Sequence, residues 1–196
     1  MKQAIADLNS PARSMQRDRS TRVLDLSRSY SAVEPLRDGR SVEIRALRPD
    51  DETQMLAAVS RTSPQSLYRR FFGVKKDFSQ SEKAFFLNAD FTHHVALVAS
   101  VKRNERAEIV GGARYVVAEP GIAEVAFTVI DEFQGKGVGS ALMRHLILLA
   151  RRASLKQLVA DVLPENTAMI NILKRSGLPA AMTRTRGVVH VSLDVS

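Results

Sequence analysis

The sequence predicts an α/β fold with a mixed, mostly antiparallel, twisted sheet that helices flank. Three β-rich segments, at 94–101, 109–117 and 124–130, follow one another closely, as antiparallel strands joined by short turns do. A glycine-rich loop and a long apolar helix come next, and a further strand is predicted at 157–162. A row of strands followed by strand–helix–strand alternation favours a mixed sheet with helices packed on it.

The segment before these strands is predicted to form one strand and three helices. Residues 42–47 alternate between polar and apolar side chains, as a half-buried strand does, and Pro49 ends that pattern. Each helix is expected to begin at a residue whose side chain accepts a hydrogen bond from a free backbone N–H. These N-cap residues are Asp50 or Asp51, Ser63 and Ser79.

The C-terminal part is predicted to continue with alternating helix and strand. A long helix covers 141–150, and the strand at 157–162 follows it. A short helix begins at Asn166 and is stopped by Gly177, because glycine adopts the left-handed conformation that is common at helix ends. A last strand is predicted at 188–193.

Length and composition exclude several classes of protein and of functional site. The chain has 196 residues, 44% of them hydrophobic, which suits one domain with a substantial core and an extension. It contains no cysteine, which excludes disulfides, thiolate metal sites and a cysteine nucleophile. No apolar run reaches the length of a signal peptide or a membrane span, so we expect a cytoplasmic protein with no membrane partner.

Neither the basic charge nor the histidines indicate a nucleic-acid partner or a metal site. The net charge of +8 is scattered, without the dense basic runs and interleaved aromatics of nucleic-acid binders, so we expect no nucleic-acid partner. His93 and His94 are adjacent at the start of a strand and would point to opposite faces, so we expect no metal site.

The N-terminal segment differs from the rest of the chain. Residues 1–40 are polar and lack sustained periodicity, so we expect a flexible extension before a domain at 41–196. One short apolar patch within it could dock on the domain; it consists of Val23, Leu24 and Leu26.

The loop between the strand at 124–130 and the long helix is a candidate anion site. Gly137 and Gly139 let the backbone curl tightly, and the free N–H groups at a helix start attract anions. Lys136 adds a positive charge. The spacing matches neither the Walker loop nor the dinucleotide fingerprint. An ordinary strand–turn–helix connection with a glycine-rich turn remains the simpler alternative.

This loop resembles the Gln/Arg-x-x-Gly-x-Gly/Ala loop of the GNAT family of N-acetyltransferases. The order of predicted elements over roughly residues 42–194 resembles that family too, which implies the GNAT acyl-CoA N-acyltransferase fold with acetyl-CoA as cosubstrate. The resemblance implies that the pyrophosphate of coenzyme A is bound by the loop residues Gln134, Gly135, Lys136, Gly137, Val138, Gly139 and Ser140.

The resemblance also implies a site for the pantetheine arm. In this fold the strand carrying Phe127 and Val129 splays from its neighbour, so that backbone groups near these residues can pair with the pantetheine amides. Asn166 corresponds to an asparagine that contacts the arm, and it is also a natural helix N-cap; both roles are compatible. Leu173 stands where the family often has the tyrosine that protonates the leaving thiolate.

Glu124 is the candidate catalytic residue. An amine acceptor with a pKa near 10 is protonated at neutral pH, so a general base is needed before it can attack. The residues around Glu124, together with the block at 63–73 and the missing tyrosine, resemble the bacterial protein lysine acetyltransferases of the Pat type. That resemblance implies that Glu124 is the base, and partial withdrawal from water would suit it to the role. The alternative is an exposed glutamate in a salt bridge.

The sequence therefore predicts an acetyl-CoA-dependent N-acetyltransferase that transfers acetyl to a protein lysine by direct attack. The resemblance implies a protein substrate such as an acyl-CoA synthetase. Two alternatives stay open: an N-acetyltransferase for a small-molecule amine, and a non-catalytic acyl-CoA-binding sensor module.

Overall fold

One eight-stranded sheet runs through the molecule in a computed structural model that describes residues 27–75, 77–104 and 106–196. The strands are β1 (Ser31–Pro35), β2 (Ser41–Ala46), β3 (His94–Arg103), β4 (Arg106–Glu119), β5 (Ile122–Val129), β6 (Gln157–Val162), β7 (Ala180–Thr185) and β8 (Val188–Asp194). They lie in the order β1-β2-β3-β4-β5-β6-β8-β7.

Among the described residues, five helices of eight or more residues flank the sheet: α1 (Glu52–Ser60), α2 (Pro64–Phe71), α3 (Gln80–Leu87), α4 (Val138–Arg152) and α5 (Thr167–Lys174). Every neighbouring pair of strands is antiparallel except β5 and β6, which are parallel because α4 crosses between them. The prediction of a mixed, mostly antiparallel sheet flanked by helices is confirmed.

The predicted helix starts at Ser63 and Ser79 are present with their side-chain caps. Ser63 Oγ accepts a hydrogen bond from the N–H of Ser66 at 3.3 Å, and Pro64 occupies the first turn of α2. Ser79 Oγ accepts from the N–H of Glu82 at 3.2 Å, while the Glu82 carboxylate accepts from the N–H of Ser79 at 2.8 Å. Each cap satisfies backbone donors that the first turn leaves free, which fixes where the helix begins.

The two faces of the sheet carry different helices. Residues alternate between the faces along each strand, so odd and even positions of β4 point in opposite directions. The side chain of Val138 on α4 lies close to Gly111, whereas Arg114 on β4 contacts the ring of Phe86 on α3. Helix α4 therefore covers one face, and α1 to α3 lie over the other, where the candidate site is found.

The sheet begins earlier than the expected domain boundary at residue 41. Within the segment 1–40, β1 pairs with β2 along its whole length, from Ser31 opposite Arg45 to Pro35 opposite Ser41. The expectation of a flexible extension is therefore wrong for this part. Residues 1–26, including the patch of Val23, Leu24 and Leu26, lie outside the described residues, so the expectation for them stays a prediction.

Contacts with α4 explain why such a short, polar strand is held. Glu34 on β1 forms an ion pair with Arg144, and its Oε1 lies 2.7 Å from His145 Nε2. The hydroxyl of Tyr30 hydrogen-bonds His145 Nδ1 just before the strand. These tertiary contacts have no local signature in the sequence. Strand β7, which was also not predicted, is an edge strand whose residues are nearly all exposed.

Within the described ranges, no helix combines the length and apolarity needed to cross a lipid bilayer.

Candidate active site

The strands β5 and β6 separate after three residue pairs and open a cleft between them. They pair at Ile122 with Gln157, Ala123 with Leu158 and Glu124 with Val159. Beyond Glu124, β5 stays paired with β4 as far as Val129, so only its other edge is open. The splay that the resemblance implied is present, and Glu124 is the last residue before it.

The open edge of β5 presents the backbone groups that were predicted to bind pantetheine. The N–H of Ile130 donates to the carbonyl of Val110 at 3.0 Å, so Ile130 faces β4. Because backbone groups alternate along a strand, those of Phe127 and Val129 face the cleft. The Gln134 side-chain amide donates to the Val129 carbonyl at 3.1 Å, so that acceptor already has a donor from the protein.

The cleft has a volume of about 320 Å³ and is walled by β5, α2, the end of β6 and the start of α5. It brings together five of the predicted site residues: Glu124, Phe127, Val129, Gln134 and Asn166. The other predicted residues, 135–140, do not line this cleft but form the adjoining turn and the start of α4.

The adjoining turn has the geometry of an anion site. Gly137 has a φ of +100°, a left-handed conformation that an L-residue with a side chain rarely adopts. The first intrahelical bond runs from the N–H of Ala141 to the carbonyl of Gly137 at 2.9 Å. The N–H groups of residues 138–140 consequently have no acceptor within the helix, and the helix dipole makes them attractive to phosphate.

Two side chains of the loop have contacts that limit their roles. Val138 is 1% exposed, so it offers only its backbone to a ligand. Lys136 Nζ lies 4.0 Å from Asp38 and 5.1 Å from the centre of the Phe133 ring, so its charge is partly shared.

Gly139 has a packing role as well. A Cβ atom built on it would lie 2.6 Å from Ile172 Cδ1, which is closer than van der Waals contact allows. Helices α4 and α5 therefore approach each other closely at this glycine. This contact gives a structural reason for the residue that is independent of any ligand.

Glu124 is exposed on the wall of the cleft. The expectation that its carboxylate is partly withdrawn from water is therefore wrong for the protein without bound substrates. Its simpler interpretation, a surface glutamate in a salt bridge, is not supported either, since in the described part of the chain no cationic nitrogen lies within 4.0 Å of it. The carboxylate is thus available to a molecule bound in the cleft.

Asn166 and Leu173 have clear positions on α5. Asn166 Oδ1 accepts from the N–H of Met169 at 3.2 Å, so it caps the helix, and its side chain also lines the cleft. Leu173 is 0% exposed and lies in the core. The position of the family's tyrosine thus supplies no hydroxyl to the cleft.

A hydrogen-bond network that the sequence analysis missed ties α2 to the glycine loop. Asp131 accepts from the N–H of Ser63 at 2.7 Å and from the hydroxyl of Ser66 at 2.9 Å, and Ser66 Oγ accepts from Gln134 Nε2 at 3.1 Å. Burial opposes ionisation of Asp131, but the hydrogen bonds from both serines hold its pKa below the usual value. Position alone could not reveal this network, because it joins residues more than 60 apart.

The block at 63–73 contributes residues both to the surface and to the cleft. Tyr68 is 43% exposed. The neighbouring Arg69 and Arg70, which the analysis left unassigned, line the cleft instead. Among the residues that the structure covers, no group of three or more histidine, aspartate or glutamate side chains is arranged to hold a metal ion.

Comparison with known sequences identifies relatives of this chain. The profile of the family described as "Acetyltransferase (GNAT) family" matches residues 62–178. An acetyltransferase of Pseudomonas aeruginosa, PA5475, is 37% identical over 138 residues, covering 70% of this chain and 74% of that protein. Acetyltransferase Pat of Mycolicibacterium smegmatis is 32% identical over 162 residues, covering 82% of this chain but 47% of Pat. The chain thus spans about half the length of Pat.

Comparison with solved structures agrees. The GNAT domain of S. lividans PAT superimposes with a TM-score of 0.76 at 31% identity, covering 84% of this chain and 96% of that one. YncA from Salmonella typhimurium, solved with acetyl-CoA, has a TM-score of 0.65 at 18% identity over 79% of this chain and 94% of that one, which supports the fold alone. The chain therefore belongs to the GNAT family, resembles its Pat-type members, and is an acetyl-CoA-dependent N-acetyltransferase.

Proposed function

We propose that this enzyme transfers acetyl to the ε-amine of a lysine on another protein, with Glu124 as the general base. The position of Glu124 carries the proposal. It is the last residue of β5 that pairs with β6, so its carboxylate lies where the cleft begins, and no cationic nitrogen of the described residues lies within 4.0 Å of it. Similarity to Pat, which spans only half of that protein, supports the same acceptor class.

The cleft fits coenzyme A on three features of the structure. Free N–H groups at residues 138–140, together with Lys136, suit the pyrophosphate. The open edge of β5 at Phe127 suits the pantetheine amides, and Asn166 lies on the opposite wall. When bound there, acetyl-CoA supplies the acetyl group as a thioester.

Glu124 then removes a proton from the acceptor ammonium, directly or through water, since its exposed carboxylate is in contact with solvent. The neutral amine attacks the acetyl carbonyl directly, and no covalent enzyme intermediate forms. A free thiol has a pKa of about 8.5, so coenzyme A leaves as a thiolate at little cost near neutral pH. A core leucine at position 173 is compatible with this chemistry, because no strong acid is required.

Exposed apolar residues at the end of α2 favour a macromolecular acceptor. Tyr68 and Phe72 are each 43% exposed and Val74 is 82% exposed, and Phe72 also lines the cleft. Three exposed apolar residues close together in the sequence, one of them on the cleft, suit a surface that docks a protein. An acyl-CoA synthetase is the acceptor protein that we propose to test first.

The decisive experiment compares acceptors directly. Purified acyl-CoA synthetases and a panel of free amino acids and polyamines are incubated with the enzyme and acetyl-CoA, and mass spectrometry locates the acetyl groups. We expect one or a few lysines on a folded protein to be modified faster than any free amine. Efficient acetylation of a free amine, with every protein at the background rate, would contradict the protein acceptor.

A further inference from the structure

Two arginines, one lining the cleft and one lining a cavity beside it, form no direct ion pair with a carboxylate of the described residues. Arg70 on α2 lines both the cleft and a neighbouring apolar cavity of about 90 Å³, and Arg114 on β4 lines that cavity. Throughout residues 27–75, 77–104 and 106–196, no carboxylate oxygen lies within 4.0 Å of either guanidinium.

The register of the sheet makes room for Arg114. Its neighbours directly across the sheet are Ala96 on β3 and Ala126 on β5, and residues opposite one another point to the same face. Two methyl groups leave open space around the long side chain. Glu124 is two residues from Ala126 along β5, so it shares this face and lies one step further along the strand.

His94 and Phe86 hold Arg114 in place without neutralising it. Arg114 Nη1 is 3.2 Å from His94 Nε2, and the guanidinium lies 4.6 Å from the centre of the Phe86 ring. Burial, followed by the charge of Arg114, lowers the pKa of His94 to about 4, so the imidazole is neutral and accepts the hydrogen bond. A guanidinium has five N–H donors, and contact with an aromatic face uses none of them.

The two cations also raise each other's electrostatic free energy. Burial, reinforced by the charge of Arg70, lowers the pKa of Arg114 to about 10. Burial likewise lowers the pKa of Arg70, although the charge of Glu124 acts in the opposite direction. On the same helix, Arg69 Nε is buried without a hydrogen-bond partner among the described residues. Cations removed from water are costly when unpaired, and an anion between them would offset that cost.

We propose that Arg70 and Arg114 form a carboxylate-binding site for the acceptor. A carboxylate of the acceptor pairs with these guanidinium groups while its amine lies at Glu124. Positions two residues apart on a strand are separated by about 7 Å, so the acceptor carries its acidic group within roughly 10 Å of the amine. The inference rests on the proposed function only for the place of the amine. The carboxylate belongs either to an acidic side chain beside the acceptor lysine or to a free α-carboxylate.

The test measures binding separately from turnover. Calorimetry in the presence of CoA, which cannot transfer acetyl, compares two acceptor pairs that differ only in charge. The first pair is a blocked tetrapeptide with glutamate or glutamine after its lysine; the second is Nα-acetyl-lysine and its amide. We expect the carboxylate member of at least one pair to bind tenfold or more tightly, and that pair identifies the source of the carboxylate.

Variants assign the preference to the two arginines. In Arg114→Gln and Arg70→Gln the ratio of affinities should fall to about one, while the exposed Arg106→Gln on the same strand keeps the wild-type ratio. Melting temperatures of the two site variants should equal or exceed that of the wild type, since each removes a half-buried charge that has no carboxylate within ion-pair distance among the described residues. If the arginines were purely structural, their substitution would instead lower the melting temperature and leave the ratio of affinities unchanged.

Each remaining outcome is decisive. Equal affinities within both pairs, no measurable binding of any member, or a preference that survives both arginine variants would overturn the carboxylate site. Turnover with acetyl-CoA is then measured on the same four acceptors. Acetylation without charge preference would sink this inference and leave the proposed function intact, whereas preferential binding without acetylation would contradict the lysine acetyltransferase activity alone.

Discussion

Arg45 and Arg114 lie on the same face of one sheet, yet the protein treats them in opposite ways. Arg45 on β2 is 6% exposed and forms a two-pronged ion pair with Asp51, with nitrogen–oxygen distances of 2.6 and 2.7 Å. Among the described residues, Arg114 instead contacts the neutral His94 and the rings of Phe85 and Phe86, and no carboxylate oxygen lies within 4.0 Å of its guanidinium. The fold thus places an anion beside the structural arginine, whereas the half-buried Arg114 is left for the acceptor carboxylate that we propose it binds.

The backbone shows the same contrast. Strand β4 is paired along most of its length with β3 and β5 on its two sides, whereas β5 loses its second partner after Glu124. In both cases polar groups that lie away from the cleft are paired, whereas Arg114 and the second edge of β5 beyond Glu124 lack such a partner within the described residues. Unpaired polar groups cost stability, and they are retained here beside groups that fit a cosubstrate and an acceptor.

Removing the carboxylate that pairs with Arg45 should lower the unfolding free energy, and this is the largest effect that we expect. Asp51→Asn leaves Arg45 buried with a neutral partner, as Arg114 is now, and replaces one of the two oxygens that accept from Arg45 and from the Arg48 N–H with an amide donor. Loss of one partner of a buried ion pair costs about 3–5 kcal/mol of unfolding free energy. Urea denaturation measures it, with Arg114→Gln as the matched comparison that should lose little. Similar losses in the two variants would refute the contrast.

The unpaired carboxylate at the start of the cleft gives the next largest effect. Glu124→Gln should lower kcat by about a hundredfold or more, because general-base catalysis contributes that much, while the affinity for CoA is retained. Glu119→Gln, an exposed residue at the end of β4, is the control and should keep the wild-type rate. A normal rate for Glu124→Gln at neutral pH would mean that another group is the base.

Local patterns predicted the fold and the groups that lie close to one another in the sequence. The central strands, the serine caps and the glycine loop each depend on a few consecutive residues, and each is present. Strands β1 and β7 were missed because they are short edge strands with mostly exposed residues and no apolar alternation. What holds β1 is the distant pair of Glu34 and His145, which only the fold brings together.

The residues that line the cleft were predicted in part for the same reason. The resemblance led to Glu124 and the loop, because these residues stand within recognisable motifs. The arginine site could not be found that way, since it depends on which residues lie across the sheet from Arg114 and on the lack of a nearby carboxylate. Ala96 and Ala126 look like ordinary strand residues until the register sets them on either side of it.

The neutral partner of Arg114 predicts a pH dependence of stability. The pKa of His94 is about 4 in the folded protein and 6.5 in the unfolded chain, so the unfolded chain binds more protons as the pH falls between these values. The unfolding free energy should therefore decrease by about 2 kcal/mol from pH 7 to pH 5 through this residue. Asp51 adds little there, because its lowered pKa affects stability only nearer pH 4 and below.

Comparing the wild type with His94→Asn isolates the contribution of His94 to this decrease in unfolding free energy. Asparagine does not titrate, and it can still accept a hydrogen bond from Arg114. Denaturation at pH 7 and pH 5 should show a smaller decrease for the variant by about 2 kcal/mol. Equal decreases would mean that His94 is protonated in the folded protein and that Arg114 is held in another way.

Substitutions in the glycine loop should have the smallest effect, a change in CoA affinity. They test whether the free backbone N–H groups beside the cleft bind the cosubstrate. Gly137→Glu places a negative charge beside the free N–H groups at the start of α4 and should weaken CoA binding by about tenfold or more in calorimetry. The left-handed φ of +100° means that any side chain there also strains the backbone. Gly137→Ala separates the two causes, because it introduces the strain without the charge. If both variants bind CoA more weakly than the wild type by the same factor, backbone conformation rather than charge controls the site. If both bind CoA with the wild-type affinity, the loop is not the phosphate site.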